Sequence, residues 1–430
     1  MTSLTKSNLL LPRSAPFPSM RFFATECTIV LGLILFVIFV MGPITVRWVL
    51  DIFIAGDQVF HLQVAIDMNR TNTLITPHFL YQALVIALHS VVPDAGWTFS
   101  AVAVNLLCQL FSALFIYVAL KMTLTRARSR FSSGAISIIS LVTAVGLLIM
   151  APLIAIPQAF GVQINPMLLG FVTPITYHNP TITTLRPVAI LLFFTMTTLL
   201  APQPSLKKPL PIAGVIAFTT VLVVLNGLSK PNFLIVLIPA LSLWMVGQFI
   251  FRRRNAWAVS VIGIVVPGLL MLGWQYYFTY LNPNMTMKPS GIIFAPLEVI
   301  TSMIKSQPTT LLLFSVSFLF PLSVIAFLWR EAKRDVSFQF AGLMFVIALA
   351  YMYLFAESGE RMYHGNFFWS AYICAWILQF ASAHLALRAW LTESSGVSRW
   401  RILIIGFFFF AQVASGLHFI HYSNQIVVSV

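Results

Sequence analysis

An acid and a histidine stand one helical turn apart just beyond the first long apolar stretch of the chain. They are Asp57 and His61, in the sequence AGDQVFHLQVA. If a helix opens at Asp57, residues four apart lie on one face, so the two side chains can act together. A carboxylate beside an imidazole can take a proton from a hydroxyl group that attacks an electrophile. The alternative is structural, because Asp is also a favourable residue at a helix start.

A second group of polar side chains lies in VTPITYHNPTITTLRP, residues 172–187. Tyr177, His178, Asn179 and Arg186 bring hydrogen-bonding groups together beside two prolines. This composition indicates a binding loop. The alternative is a structured turn whose arginine extends its charged end to a polar surface, as long cationic side chains do.

A single lysine, Lys230 in GLSKPNF, ends an apolar run. Its ammonium group is a compact charge that suits the binding of an anion. The alternative is that Lys230 only anchors the end of a helix in polar surroundings.

The densest group of charges lies in ESGERMYHGNFFW, residues 357–369. Ionisable residues that cluster in a chain this apolar indicate a functional site. The alternative is an ion pair between a glutamate and the arginine that fixes the loop. The candidates are Glu357, Glu360, Arg361, His364 and Asn366.

The elements that position these residues follow from composition. The chain is 59% hydrophobic and 8% charged, whereas soluble domains carry about 25% charged residues. Apolar runs recur along the chain at about the 20-residue length that crosses a bilayer. We therefore predict an all-α polytopic membrane protein with a single transmembrane domain over residues 1–430. The net charge of +14 lies in short clusters between apolar runs, which indicates orientation signals and excludes a nucleic-acid-binding protein.

Twelve apolar runs are present, and the one at 81–93 is too short to cross a membrane. We predict that it forms an interfacial helix, which leaves about 11 transmembrane helices. Every strong basic cluster then falls on one side, which the positive-inside rule assigns to the cytoplasm. The predicted spans are 27–50, 98–121, 133–155, 187–201, 211–228, 232–250, 256–281, 309–328, 337–356, 366–388 and 402–422.

The four polar groups described above all fall on the outer side of this topology. We therefore expect a multi-pass protein of the inner (plasma) membrane whose site faces the periplasm or the exterior. The sequence contains no zinc-ligand spacing, P-loop or nucleophile-elbow motif.

Residues 27–125 combine these features in a particular order. A first span precedes a loop with Asp57, and then come a TPH motif that ends at His78, a short apolar segment and a second span. This order resembles the GT-C class of membrane glycosyltransferases, which includes lipid A aminoarabinose transferases and protein O-mannosyltransferases. Enzymes of that class use polyprenyl-phosphate sugars as donors and carry an acidic doublet in the first outer loop. Asp57 falls at the position of the catalytic acid, and Gln58 stands where the second acid often lies.

The resemblance implies a GT-C-like fold with interfacial helices in the first outer loop. It implies that Asp57 is the general base and that His61 assists it. Because Gln58 replaces the second acid, we expect no metal shared by two carboxylates and no other cofactor. The remaining candidates are expected to bind substrate, with the cations at the donor phosphate: Asp51, His78, Tyr177, His178, Arg186, Lys230, Glu357, Glu360, Arg361, His364 and Asn366.

The expected function is that of an integral membrane glycosyltransferase, a hexosyl- or pentosyltransferase of the cell envelope. Its partners are a polyprenyl-phosphate sugar donor, a membrane-associated lipid, glycan or cell-wall acceptor, and the bilayer. One alternative is a transporter or flippase for lipid-linked oligosaccharides, which predicts midplane charges and broken helices. Another is a polymerase or ligase of surface polysaccharide.

Overall fold

The structure is a computed structural model, and the described part of the chain is almost entirely helical with one small sheet. It describes residues 20–50, 56–126, 131–163, 168, 170–175, 177–201, 212–250, 257–282, 290–304, 306–392 and 396–425.

The α-helices are numbered in chain order. They are α1 (Met20–Phe36), α2 (Gly42–Leu50), α3 (Gly56–Thr71), α4 (Leu80–Val91), α5 (Gly96–Arg126), α6 (Ser133–Ile149), α7 (Ala155–Ala159), α8 (Pro180–Leu200), α9 (Ile212–Ser229), α10 (Asn232–Ile250), α11 (Trp257–Ser260), α12 (Val266–Tyr276), α13 (Glu298–Met303), α14 (Gln307–Ser317), α15 (Leu319–Phe327), α16 (Trp329–Ala332), α17 (Val336–Leu354), α18 (Phe368–Leu391) and α19 (Arg399–Gln425).

Shorter elements extend or connect these helices. The π-helical segment Val37–Met41 joins α1 to α2, Val261–Val265 joins α11 to α12, and Tyr277–Leu281 continues α12. Two 3₁₀-helices, Pro93–Ala95 and Gly359–His364, precede α5 and α18. The strands β1 (Ile292–Phe294) and β2 (Phe355–Glu357) pair antiparallel, with Ile292 opposite Glu357.

Within the described ranges, nine helical stretches are long and apolar enough to cross a membrane, which confirms the predicted class of all-α polytopic membrane protein. The number rises to ten if α14 and α15, which meet at a bend of 64°, form one span. The predicted count of eleven stays a prediction, since α6 has only 17 residues. The nine stretches are Phe23–Leu50, Pro93–Thr125, Pro180–Leu200, Ile212–Ser229, Asn232–Ile250, Trp257–Leu281, Val336–Leu354, Gly359–Leu391 and Arg399–Ser423.

The short apolar run after the TPH motif forms α4, a helix of 12 residues. At 1.5 Å per residue such a helix is about 18 Å long, well short of the roughly 30 Å of hydrocarbon. Helices α3 and α4 pack against each other and against α5. Buried side chains such as Val49, Ala65, Tyr81 and Val85 join them into a small core of their own. This core holds α3 and α4 on the end of the bundle.

One predicted boundary is wrong, because α8 begins at Pro180 and not near residue 187. The Asn179 side chain accepts a hydrogen bond from the backbone N–H of Ile182 (3.1 Å), so Asn179 is the N-cap and Pro180 occupies the first helical position. Both residue types favour a helix start there. Pro187 lies inside the helix, and the cap and the packing of α8 outweigh the one backbone hydrogen bond that a proline removes.

Candidate functional site

The N-cap residue of α8 lies between an acid and a cation that are distant in sequence. The amide nitrogen Nδ2 of Asn179 donates a hydrogen bond to Asp57 Oδ2 at 2.7 Å. Its oxygen Oδ1 accepts from Thr181 Oγ1 at 2.7 Å and from Lys230 Nζ at 3.4 Å. The start of α3, the start of α8 and the end of α9 therefore meet at one point.

Lys230 is buried, with 7% of its surface exposed. It lies in the short connection between α9 and α10, and its ammonium also donates to Thr181 Oγ1 at 3.2 Å. Burial lowers the pKa of Lys230 to about 8, although the nearby Asp57 raises it. The alternative that Lys230 only anchors a helix at the membrane surface does not fit its position inside the protein.

Aromatic rings form one wall of this cluster. The ammonium of Lys230 lies 4.7 Å from the ring centroid of Trp369, within the range of a cation–π interaction. The ring of His178 lies between Trp369 and Trp48, with centroid distances of 5.2 and 5.5 Å. Burial lowers the pKa of His178 to about 4, with Asp57 opposing and Lys230 adding to the effect. His178 is therefore neutral at neutral pH.

His61 lies on the face of α3 that turns toward the protein. Gln58, His61 and Ala65 are buried on that face at helical spacing, which confirms that a helix opens around Asp57. The amide of Gln82 on α4 donates to His61 Nδ1 at 2.9 Å. Because Nδ1 accepts this bond, the proton of the neutral ring is assigned to Nε2.

His78 lies between α3 and α4, and its ring lies 6.3 Å from that of His61. Desolvation, together with the charges of Lys230 and Arg361, lowers the pKa of His78 to about 3. Burial also lowers the pKa of His61 well below its usual value, with contributions from Lys230 and His78. Neither histidine carries the positive charge of the site.

Gln58 occupies the position of the expected second acid, but its side chain serves the fold. Its Nε2 donates to the backbone oxygen of Tyr177 at 2.7 Å, and its Oε1 accepts from Asn105 Nδ2 at 3.2 Å. Gln58 thus ties α3 to α5 and to the loop before α8. Among the residues that the structure describes, no three His, Cys, Asp or Glu side chains converge as ligands of a metal ion.

Glu357, one of the two acidic residues of the fourth group, is buried at the end of β2. Its Oε1 forms an ion pair with Arg361 Nη2 at 3.0 Å and also accepts from the hydroxyl of Tyr280. Its Oε2 accepts from Asn366 Nδ2. The ion pair predicted as the structural alternative is therefore present. Arg361 is partly exposed, and its charge acts on His78 across the site.

Asn232 connects the fourth group to the Asp57 cluster. Its side chain donates to the backbone oxygen of Asn366 at 2.8 Å and to Ser370 Oγ at 3.0 Å. Asn232 begins α10 two residues after Lys230, and Ser370 follows Trp369 at the start of α18. The polar groups of α3, of the start of α8 and of residues 357–369 thus lie at one end of the bundle.

Two predicted ligands have other contacts. Arg186 has 2% of its surface exposed, donates to the backbone oxygen of Pro174, and lies over the ring of Trp376 at 5.3 Å. It does not reach a polar surface, and its contacts are not with Asp57 or Lys230. The hydroxyl of Tyr177 donates to the backbone oxygen of Leu148 at 3.4 Å. Both side chains hold the loop before α8 in place.

Two other predicted residues lie on the surface. Glu360 and His364 are exposed on the 3₁₀-helix before α18. Asp51 lies outside the described residues. The sequence predictions placed Asn179 in the 172–187 group but missed its role as a helix cap, and they missed Thr181 and Trp369; all three residues are neutral. For Asn179 a signal was available, because Asn followed by Pro is a typical helix start.

No family model, no curated protein and no solved structure matches the chain. What the site can do must therefore be judged from its chemistry. It offers a half-buried carboxylate with a hydrogen-bond donor on one oxygen, a buried ammonium within the same network, and neutral imidazoles and indoles around them. This arrangement suits proton removal beside a group that becomes more negative.

Proposed function

We propose that the chain is an integral membrane glycosyltransferase that moves a sugar from a polyprenyl-phosphate donor to a membrane-associated acceptor at the outer face. The acceptor is a lipid, a glycan or a cell-wall polymer. The observation that carries the proposal is the Asp57–Asn179–Lys230 network, because it joins a base to a cation at one end of a membrane bundle.

The proposed reaction is a single displacement at the anomeric carbon of the sugar. Asp57 takes the proton from an acceptor hydroxyl while the oxygen of that hydroxyl bonds to the anomeric carbon. The bond between this carbon and the phosphate oxygen breaks, and polyprenyl phosphate leaves with the bonding electron pair. The phosphate gains negative charge in this step, so a fixed cation close to it lowers the barrier.

Lys230 is the proposed partner of that phosphate. Its charge is desolvated, which strengthens its interaction with an anion, and Asn179 and Thr181 hold its position. No side-chain carboxylate lies within ion-pair distance of Lys230 in the described ranges. The ammonium is therefore available to a ligand.

Arg361 is a second phosphate partner that can change contacts. When Arg361 leaves Glu357, the carboxylate keeps the hydrogen bonds from Tyr280 and Asn366, so no buried charge is left without a donor. The 3₁₀-helix that carries Arg361 lies between Gly359 (φ 70°) and Gly365 (φ 65°). Glycine accepts this backbone conformation readily, which supports rotation of the segment between two states.

One observation favours a second candidate, a carrier of lipid-linked sugars. Helices α14 and α15 form a bent pair, and broken helices are common in transporters. Gln412 of α19 fills the break, since it accepts from the N–H of Phe320 (3.3 Å) and donates to the oxygen of Ser317 (3.1 Å). The described ionisable groups nevertheless cluster at helix ends, which favours chemistry at an interface.

The proposed function is tested by a transfer assay on purified protein with a panel of polyprenyl-phosphate sugars. Asp57→Asn should lose about 100-fold or more in turnover, the usual range for loss of a general base. The new amide oxygen can still accept from Asn179, so the variant should fold and bind donor.

A matched control is Asp67→Asn on the same helix. Among the described residues, the Asp67 side chain pairs with Arg70 alone (3.1 Å), so its replacement should leave turnover unchanged. Near-normal turnover of Asp57→Asn would contradict the proposed base. Movement of a lipid-linked sugar across proteoliposome membranes without any transfer would favour the carrier instead.

A further inference from the structure

A cavity of about 230 Å³ with charged residues in its lining is found at the other end of the bundle from the candidate site. It is formed by the turn from α16 into α17 and by the last turns of α18. Helix α17 leads from this cavity to Glu357, and α18 runs from Trp369 back to it. The cavity is therefore separated from the Asp57 network by about the length of one membrane helix. Its charged lining residues are Glu331, Arg334, Asp335 and Arg388.

Two of these four charges already serve the fold. Asp335 is buried, caps α17 by accepting from the N–H of Phe338 (2.9 Å), and pairs with Arg388 Nη1 at 2.7 Å. Arg388 is half exposed, and a guanidinium has five N–H donors, so it retains donors for a ligand. The cavity thus keeps a prearranged cation after the ion pair has formed.

The other two charges are unpaired within the described part of the chain. Glu331 and Arg334 both line the cavity, and no side-chain hydrogen bond or ion pair is found for either. They differ in sign, so the cavity presents one carboxylate together with guanidinium groups. A purely anionic ligand would gain from the arginines but meet repulsion from Glu331. A ligand with both charges satisfies all of them.

The surroundings are those of a membrane interface. Trp329 and Trp400 are exposed close to this end of the bundle, and each has a cation over its ring: Lys333 at 5.2 Å and Arg401 at 5.6 Å. Exposed tryptophans with basic residues are typical of the headgroup region, where pockets between helices bind lipid headgroups.

We propose that this cavity binds the headgroup of a phospholipid that carries a primary ammonium, of the phosphatidylethanolamine type. The phosphate accepts hydrogen bonds from Arg334 and Arg388, since guanidinium groups suit phosphate oxygens. The ammonium donates to Glu331. A choline headgroup lacks the N–H groups for this second contact, and a glycerol headgroup lacks the positive charge.

The proposal is tested by native mass spectrometry of the full chain with phosphatidylethanolamine, phosphatidylcholine and phosphatidylglycerol of identical acyl chains. Wild-type protein should retain phosphatidylethanolamine at least about threefold better than either of the other two lipids. This ratio corresponds to the free energy that one partly exposed charge contact contributes. Glu331→Gln should remove the preference over phosphatidylcholine. Arg334→Gln should weaken retention of all three lipids, because all carry the phosphate.

The matched control is Arg330→Gln, which removes an exposed arginine of α16 that does not line the cavity. It should leave the headgroup preference unchanged. Retention of phosphatidylglycerol equal to or above that of phosphatidylethanolamine would overturn the proposal, and so would an equal effect of Arg330→Gln and Arg334→Gln. Soluble phosphoethanolamine should bind far more weakly, because it lacks acyl chains. Equal binding of this soluble molecule would also overturn the assignment to a lipid.

Discussion

Asn179 should matter for turnover more than for folding or donor binding. Its amide nitrogen gives Asp57 a hydrogen bond of 2.7 Å, while its oxygen caps α8. Asn179→Ser separates the two roles, because serine caps helices about as well as asparagine but has no amide donor to reach Asp57. The variant should therefore keep the wild-type melting temperature and leave the general base less firmly positioned.

The expected size of the effect follows from that one contact. A hydrogen bond to a charged group contributes about 1.5–3 kcal/mol. If loss of this contact raises the activation free energy by about 2 kcal/mol, turnover falls by about 30-fold, since about 1.4 kcal/mol corresponds to a factor of ten. Lys230 keeps its contact with Thr181 at 3.2 Å, so the apparent affinity for donor should change little.

Initial rates at varied donor concentration measure kcat and KM separately in the transfer assay. The matched control is Asn226→Ser, a buried residue of α9 whose amide donates to Leu222 in its own helix (3.0 Å). The reasoning would be refuted if a correctly folded Asn179→Ser protein kept a kcat within about threefold of wild type. A change that small corresponds to less free energy than the weakest hydrogen bond to a charged group contributes.

Three further predictions concern pH, packing and topology. Donor affinity should be constant below about pH 8 and weaken above it, because burial lowers the pKa of Lys230 to about 8 and only its protonated form attracts phosphate. Isothermal titration calorimetry across this pH range measures the affinity for donor. An affinity that does not change with pH would show that Lys230 does not bind the phosphate. Gly416→Ala should destabilise the protein by about 1–3 kcal/mol, since the new methyl group would clash with the backbone oxygen of Ile149. Thermal unfolding should show no such loss for Gly406→Ala on the same helix, where nothing lies within 4 Å. An epitope tag at 94–97 should be reached from the side opposite to one at 333–334, and labelling of both from the same side would contradict a non-spanning α4.

The membrane class and most helix positions could be predicted from sequence because the relevant signals are local. The length of an apolar run can be read directly from the sequence, and it indicates whether the run can cross a bilayer as a helix. The opening of α3 at Asp57 is also local, as are the caps of α8 and α17 at Asn179 and Asp335. The early start of α8 shows the limit of this approach, because the apolar run begins at Pro187 whereas the helix begins at Pro180, after the cap at Asn179.

The partners of the site residues depended on tertiary structure. The contact between Asp57 and Asn179 joins positions 122 residues apart, and Lys230 meets Asn179 from 51 residues away. In a soluble helix, the polar residues mark the exposed face, so the opposite face is the buried one. A membrane helix is apolar on nearly every face and lacks this signal. Sequence therefore could not tell that Gln58 ties the fold together or that Arg186 turns toward Trp376. Helix packing decided these contacts, because it alone sets which helix ends meet and which side chains are left facing one another.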